Sequence, residues 1–147
     1  MPQSDWEHFG FCDDLGGLDG ECERCGTPIR YVFPIYHPKW GTMEVGEFCC
    51  DDLTSTTFAT EDRKRIERRA RFASSTRWST NELGETRIVQ KGISVCVVPD
   101  GPAYRLRMND TLGKLKFESV LEAKIKAFDS IDSGAAIDYL KRKEATA

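Results

Sequence analysis

A chain of 147 residues is long enough for one domain or two small ones and too short for a large multi-layer enzyme. Hydrophobic residues make up 39% of the chain and charged residues 31%, which also excludes wholesale disorder. The formal net charge of -3 is a cancellation, because residues 1–62 hold 3 Lys and Arg against 13 Asp and Glu, whereas residues 63–147 hold 18 against 11. Such asymmetry indicates that the two parts meet different partners, or each other.

The N-terminal residues carry neither a basic segment nor an apolar run, so we expect no secretory signal. No stretch approaches the roughly 20 apolar residues that a membrane helix needs. We therefore expect a cytoplasmic protein without a membrane partner. In that compartment, six cysteines are more naturally thiols or metal ligands than disulfides.

A β-hairpin is the first predicted element. Residues 29–36 are rich in β-branched and aromatic side chains, residues 38–41 form a turn, and residues 42–49 return as the second strand. Pro34 should restrict its strand to a sheet edge or a bulge. With a turn near Trp40, His37 lies opposite Met43 at the tip of the hairpin.

Cys22 and Cys25 give the strongest chemical signal in the chain. Two thiolates at this spacing, in a tight turn that ends in Gly26, can bind one zinc ion. The returning strand brings Cys49 beside this turn. His37 is not expected to be a ligand, because six residues of strand place it roughly 20 Å from Cys49.

The fourth ligand has three candidates. Cys50 is chemically the softest donor. Asp52 lies three residues after Cys49, which is the commonest spacing of a second pair of ligands, and Cys12 can approach from the N-terminal arm. We favour Cys50, which gives a zinc site of Cys22, Cys25, Cys49 and Cys50. Sites with three or four cysteines are usually closed and structural, so we expect no enzymatic role.

Two other interpretations of these cysteines remain open. Cys49 and Cys50 can be small buried hydrophobes, and Cys22 and Cys25 can be free thiols or a redox pair. A redox pair at this spacing should begin a helix after a strand, which residues 26–28, Gly-Thr-Pro, disfavour.

The cysteine turn, the hairpin and a short helix at the second ligand group resemble the treble-clef zinc finger. The resemblance covers residues 21–55 and depends on Cys22, Cys25, Gly26 and Cys49. It implies a zinc ion that stabilises the hairpin and the helix. Residues 22–31 and 45–50 also resemble small bacterial or phage-associated zinc proteins, a similarity that implies no activity.

A basic helix follows, from a cap at Thr60 to about residue 74. Its apolar stripe is thin, and Phe72 falls off that stripe between arginines. An exposed aromatic ring among arginines suits base stacking beside phosphate binding. We therefore predict nucleic-acid binding, to DNA or RNA, by Arg63, Lys64, Arg65, Arg68, Arg69, Arg71, Phe72 and Arg77.

The last part of the chain predicts a small sheet and a helix. Residues 74–86 have the composition of a linker, and residues 87–98, 103–109 and 114–117 form three strands. A capping box of Ser119 and Glu122 then begins a helix, which residues 133–134 end before a last helical stretch. Basic side chains alternate with apolar ones on two strands and should extend nucleic-acid binding over the open sheet face: Arg105, Arg107, Lys114 and Lys116.

The sequence thus predicts an α+β protein in three parts. These are an acidic, treble-clef-like zinc module at residues 1–58, a basic helix and linker at 59–86, and a three-stranded antiparallel sheet packed on a C-terminal helix at 87–147. The expected function is a non-enzymatic zinc protein that binds nucleic acid through the arginine-rich helix. The alternative is a protein-interaction adaptor, or an inhibitor that places the acidic module in the site of a nucleic-acid enzyme.

Overall fold

The computed structural model describes residues 1–146, which form an α+β protein with four helices and several antiparallel sheets. The chain divides into two compact units, residues 1–67 and the residues from Arg68 onward. Among residues 1–146, no helix is both long enough and apolar enough to cross a membrane.

The first unit is built around one strand, β5, which has partners along both edges. β6 pairs with one edge, and β1 and β2 pair with the other, while β3 and β4 pair with each other. The elements in chain order are β1 (Glu7–His8), β2 (Asp13–Asp14), β3 (Gly20–Glu21), β4 (Pro28–Ile29), β5 (Tyr31–His37), β6 (Gly41–Val45), α1 (Glu47–Thr54) and α2 (Phe58–Ala73).

The predicted hairpin is present as β5 and β6, but its register and its end differ from the prediction. His37 lies opposite Gly41, not Met43, because the turn is only three residues long and closes at Gly41 with a φ of 98°. The second strand ends at Val45. Cys49 therefore lies in α1, together with Cys50, instead of at the end of the strand.

Pro34 lies in the strand at the centre of its sheet, so the predicted edge position was wrong, but the alternative of a bulge agrees with the pairing, in which residues 9–12 face only residues 33–34. β1 pairs with residues 35–36 of β5 and β2 with residues 31–32, so Pro34 falls in the gap between these two partners. Its carbonyl accepts a hydrogen bond from Phe9 N–H at 3.2 Å. The sheet tolerates proline here because no partner strand in the gap needs a backbone N–H.

Helix α2 begins at Phe58, two residues before the predicted cap. The Asp51 carboxylate on α1 accepts hydrogen bonds from the N–H groups of Ala59 and Thr60, at 2.7 and 3.1 Å, and from the Thr60 hydroxyl at 2.7 Å. A carboxylate at this position satisfies N–H groups that have no partner within the helix and interacts favourably with the helix dipole. Thr60 is thus held by the cap and does not supply it.

The second unit is an antiparallel meander with two helices. Its five strands lie in the order β11-β10-β9-β8-β7. Apolar side chains of the sheet, α3 and α4 form its core, together with Phe72 from the end of α2. The elements are β7 (Ser79–Thr80), β8 (Thr86–Gln90), β9 (Ile93–Asp100), β10 (Ala103–Met108), β11 (Thr111–Leu112), α3 (Val120–Asp132) and α4 (Ala135–Thr146).

This sheet has more strands than predicted. The single strand expected over residues 87–98 is divided at Lys91 and Gly92, which both have positive φ and form a two-residue turn between β8 and β9. The expected linker over residues 74–86 contains β7, and residues 114–117 contact β10 through one bridge at Phe117. A lysine at positive φ is uncommon, which is why the turn gives a weak sequence signal.

The predicted helix start after the sheet is confirmed. Ser119 Oγ accepts a hydrogen bond from Glu122 N–H at 3.1 Å, and α3 begins at the next residue, Val120. Gly134, with a φ of 84°, separates α3 from α4 as expected.

Phe72 is not the exposed ring that the sequence predicted, because only 4% of it is accessible to solvent. Its ring lies 5.7 Å from that of Phe128 and 5.2 Å from that of Trp78, and the Trp78 indole N–H donates to the Phe72 carbonyl at 2.7 Å. The last turn of α2 packs into the core of the second unit. The environment of Phe72 therefore does not follow from the apolar stripe earlier in the helix. Phe72 is therefore unavailable for base stacking.

We expect Phe72→Ala to lower the free energy of unfolding of the second unit by about 3–5 kcal/mol, the usual cost of removing a buried phenylalanine ring. Chemical denaturation followed by tryptophan fluorescence measures the change, since Trp78 packs on Phe72. Leu83→Ala is the control, because Leu83 is 77% exposed and its removal should change stability by less than about 0.5 kcal/mol. Equal effects of the two substitutions would contradict the placement of Phe72.

Candidate metal centre

Cys22 and Cys25 lie in a tight turn between β3 and β4. Gly26 N–H donates to the Cys22 carbonyl at 2.8 Å, and Cys22 N–H donates to the Thr27 carbonyl at 3.0 Å. Gly26 has a φ of 76°, the left-handed conformation that the sequence motif predicts. The backbone of the turn thus holds both cysteines close together.

The third cysteine of the centre comes from α1. The Sγ atoms of Cys22, Cys25 and Cys49 all lie within 4.8 Å of one another. Cys22 is buried, Cys49 is half-buried and Cys25 is exposed, so the group lies at the surface with one side in the core. These three residues can hold a metal ion.

The environments of these thiols differ. Hydrogen bonds from the side chain and the backbone of Thr27 lower the pKa of Cys25 to about 7, and its Sγ lies 3.2 Å from Thr27 Oγ1. Burial raises the pKa of Cys49 to about 11. Because the thiolate is the form that binds metal, the environment of Cys25 favours metal binding more than that of Cys49 does.

Cys50 lies outside this group, although the sequence favoured it as the fourth ligand. Successive residues of a helix point about 100° apart, so Cys49 and Cys50 cannot both face the cysteine turn. Cys50 is fully buried in the core of the first unit beside Leu53, and burial raises its pKa to about 12. It behaves as a small buried hydrophobe.

The other two candidates for the fourth ligand also lie outside the group. Cys12 packs partly buried against the core of the first unit, and burial raises its pKa to about 12. Asp52 is exposed and accepts a hydrogen bond from Arg24 Nη1 at 2.7 Å. Arg24 stands between Cys22 and Cys25 in the chain, so the ion pair joins α1 to the cysteine turn.

Both histidines are engaged elsewhere. His37 is 5% exposed, its Nδ1 accepts a hydrogen bond from Lys39 N–H at 3.0 Å, and its ring lies 5.2 Å from that of Trp6. The His8 ring stacks on Phe58 at 3.8 Å. Within residues 1–146, the group around Cys22 contains sulfur ligands alone.

Most of the predicted nucleic-acid-binding arginines of α2 form ion pairs with acidic residues of their own unit. In the first unit, Arg63 pairs with Glu47 and Glu67, and Arg65 pairs with Asp62. The pairs of the second unit are Arg68 with Asp132 at 3.2 Å and Arg69 with Asp129 at 2.9 Å. Lys64 and Arg71 are exposed and have no ion-pair partner in the part of the chain that the structure describes.

The other predicted basic residues are also largely committed to local contacts. Arg77 donates to the Val89 carbonyl and the Gln90 side chain, and Arg105 donates twice to the Gly113 carbonyl. Arg107 pairs with Glu85 at 3.4 Å, and Lys116 with Asp100 at 3.7 Å. Lys114 is exposed and, within residues 1–146, unpaired.

Comparison of the chain with models of protein families, with curated proteins and with solved structures finds no match. The cysteine group and the charged side chains are therefore the features that bear on function.

We expect Cys49→Ser to lose the bound metal and Cys50→Ser to keep it. The first substitution removes a sulfur from the group, whereas the second replaces a buried thiol by a hydroxyl and lowers the melting temperature instead. Elemental analysis of the purified variants gives the metal content per chain, with Cys96→Ser as the control from the second unit. A folded Cys50→Ser variant without metal would contradict this assignment.

Proposed function

We propose that the protein is a non-enzymatic zinc-binding protein that binds nucleic acid. The observation that carries the zinc assignment is the group of three cysteine sulfurs within 4.8 Å. Soft thiolates favour zinc over magnesium or calcium. In a tetrahedral site with zinc–sulfur bonds of about 2.3 Å, the sulfurs lie roughly 3.8 Å apart, which is compatible with this group after small adjustments.

Zinc has a structural role in this proposal. It would connect the turn between β3 and β4 to α1, two segments that are more than twenty residues apart. Several strands of the first unit are only two residues long, and so small a unit gains much of its stability from a bound metal. The order of cysteine turn, hairpin and helix supports a treble-clef-like arrangement.

Asp52 is the fourth ligand that the contacts support best. It lies three residues after Cys49 and so on the same side of α1. Its carboxylate is already held next to the cysteine turn by Arg24. Three thiolates and one carboxylate would close the site, and the absence of both histidines from the group supports a structural role over a catalytic one.

The nucleic-acid assignment depends on the exposed cations of α2. Lys64 of the first unit and Arg71 of the second are exposed and form no ion pair in the described residues, whereas Arg68 is exposed but pairs with Asp132. Each unpaired cation can contact a phosphate, which gives affinity without sequence readout.

A second candidate function is a protein-interaction adaptor or an inhibitor of a nucleic-acid enzyme. Residues 1–67 contain 14 Asp and Glu against 6 Lys and Arg, and several of these acids are exposed, among them Asp13, Asp19 and Glu21. An acidic surface can occupy a site that normally binds a phosphate backbone. This candidate predicts a specific protein partner and no affinity for DNA or RNA.

We expect Asp52→Asn to lower the zinc affinity by at least about tenfold, because even outer-shell partners of a zinc site contribute that much. Asp52→Cys should restore tight binding by supplying a fourth thiolate. Competition with a chromophoric chelator measures both affinities, and Asp13→Asn is the matched control at an exposed aspartate in β2. Unchanged affinity in Asp52→Asn would exclude Asp52 as a ligand without affecting the three cysteines.

We expect the wild-type chain to bind fluorescent DNA or RNA with an affinity that falls steeply as salt rises. The double variant Lys64→Glu, Arg71→Glu should lose most of this affinity, since it reverses two exposed charges that form no ion pair in the described residues. The double variant Lys39→Glu, Lys91→Glu reverses two exposed charges outside α2 and is the matched control. Equal binding by the double variant and the wild type in an anisotropy titration would refute the α2 surface.

A further inference from the structure

A groove in the second unit has no role in the zinc or nucleic-acid proposals. It has a volume of about 510 Å³ and lies between the end of β10, the segment of residues 111–117, and helices α3 and α4. This volume falls within the range of roughly 300–1,000 Å³ that is typical of small-molecule sites. The groove is therefore large enough for a ligand.

The lining of the groove is predominantly apolar. Leu106 is buried at its base, Met108 and Phe117 are half-buried, and Leu115 and Tyr139 are 62% and 36% exposed. A single exposed leucine needs no explanation, but here Leu115 is part of one concave apolar surface. Covering that surface removes apolar area from water and so favours binding of an apolar group.

The charged residues that line the groove are all cationic. Lys114 comes from the loop after β11, Lys126 from α3, and Arg142 and Lys143 from α4, with Lys143 Nζ 5.6 Å from the centre of the Tyr139 ring. Among the described residues that line the groove, none is an aspartate or a glutamate. The groove therefore attracts anions and repels cations.

We propose that this groove binds a small amphiphilic carboxylate, with a single apolar chain against Leu115 and Tyr139 and the carboxylate beside the exposed Lys114 and Lys126. The apolar wall offers nothing to a solvated phosphate backbone, so nucleic acid is a poor occupant. The proposal depends on neither the cysteine group nor the exposed face of α2.

The fluorescent probe anilinonaphthalene sulfonate, itself an amphiphilic anion, tests the groove in the purified full-length chain. We expect saturable binding of one probe per chain and displacement by dodecanoate below its micelle concentration. Dodecyltrimethylammonium has the same chain and the opposite charge, and it should displace the probe at least about tenfold more weakly, a difference of about 1.4 kcal/mol. Displacement by dodecyl phosphate in preference to dodecanoate would overturn the choice of a carboxylate.

Two substitutions locate the site. Leu115→Glu places a charge on the apolar wall, and Lys126→Glu reverses an exposed cation, so neither change affects a buried side chain. Each should weaken dodecanoate binding by about tenfold or more. The matched controls are Leu83→Glu and Lys91→Glu, which are exposed residues of the same unit outside the groove lining and should bind dodecanoate within about twofold of wild type.

Thermal melts establish that all four variants are folded. Besides a preference for dodecyl phosphate, three results would overturn the proposal: no saturable binding of the probe, equal displacement by dodecanoate and dodecyltrimethylammonium, or equal weakening in the groove variants and their controls. The last result would mean that the probe binds apolar surface without preference for the groove.

Discussion

The geometry of helix α1 determines how the first unit is held together. Four consecutive residues, 49–52, point in successive directions about 100° apart, and each has a different task. Cys49 faces the cysteine turn, Cys50 fills the core, the Asp51 carboxylate caps α2, and Asp52 pairs with Arg24. A metal on Cys49 would therefore fix the orientation of a helix that also positions the start of α2. A metal that holds α1 in one rotational orientation would therefore also stabilise the core packing of Cys50, the cap formed by Asp51 and the ion pair of Asp52 with Arg24.

Ion pairing changes the interpretation of the arginine-rich helix. Charge density alone suggests that every basic side chain of α2 is available to a phosphate, yet Arg63, Arg65 and Arg69 are partly buried and bonded to carboxylates. Releasing such a pair to bind a phosphate costs the interactions it already makes, whereas Lys64 and Arg71 lose only water. The expected contribution to nucleic-acid affinity is therefore largest at these two exposed residues.

Local signals in the sequence predicted local structure well, but they failed where the structure depends on contacts with other parts of the chain. The cysteine pair with Gly26 and the cap at Ser119 are complete within a few residues, and the structure contains both. By contrast, the cap of α2 comes from Asp51, seven residues before the first residue of that helix. The predicted strand over residues 42–49 ends four residues earlier, at Val45, and the helix that follows turns Cys49 and Cys50 toward different surroundings.

Helix α2 explains why a thin apolar stripe was misleading. Its first residues, Phe58 and Ala59, belong to the core of the first unit, and Phe72 near its end belongs to the core of the second. No residue from Thr60 to Arg71 is buried. The middle of the helix is held by ion pairs instead, such as Arg63 with Glu47 and Arg69 with Asp129, so it needs no continuous apolar face and can carry many charges. Packing of its last turn removes Phe72 from solvent, whereas Lys64 and Arg71 remain exposed, and these two residues carry the proposal of phosphate binding.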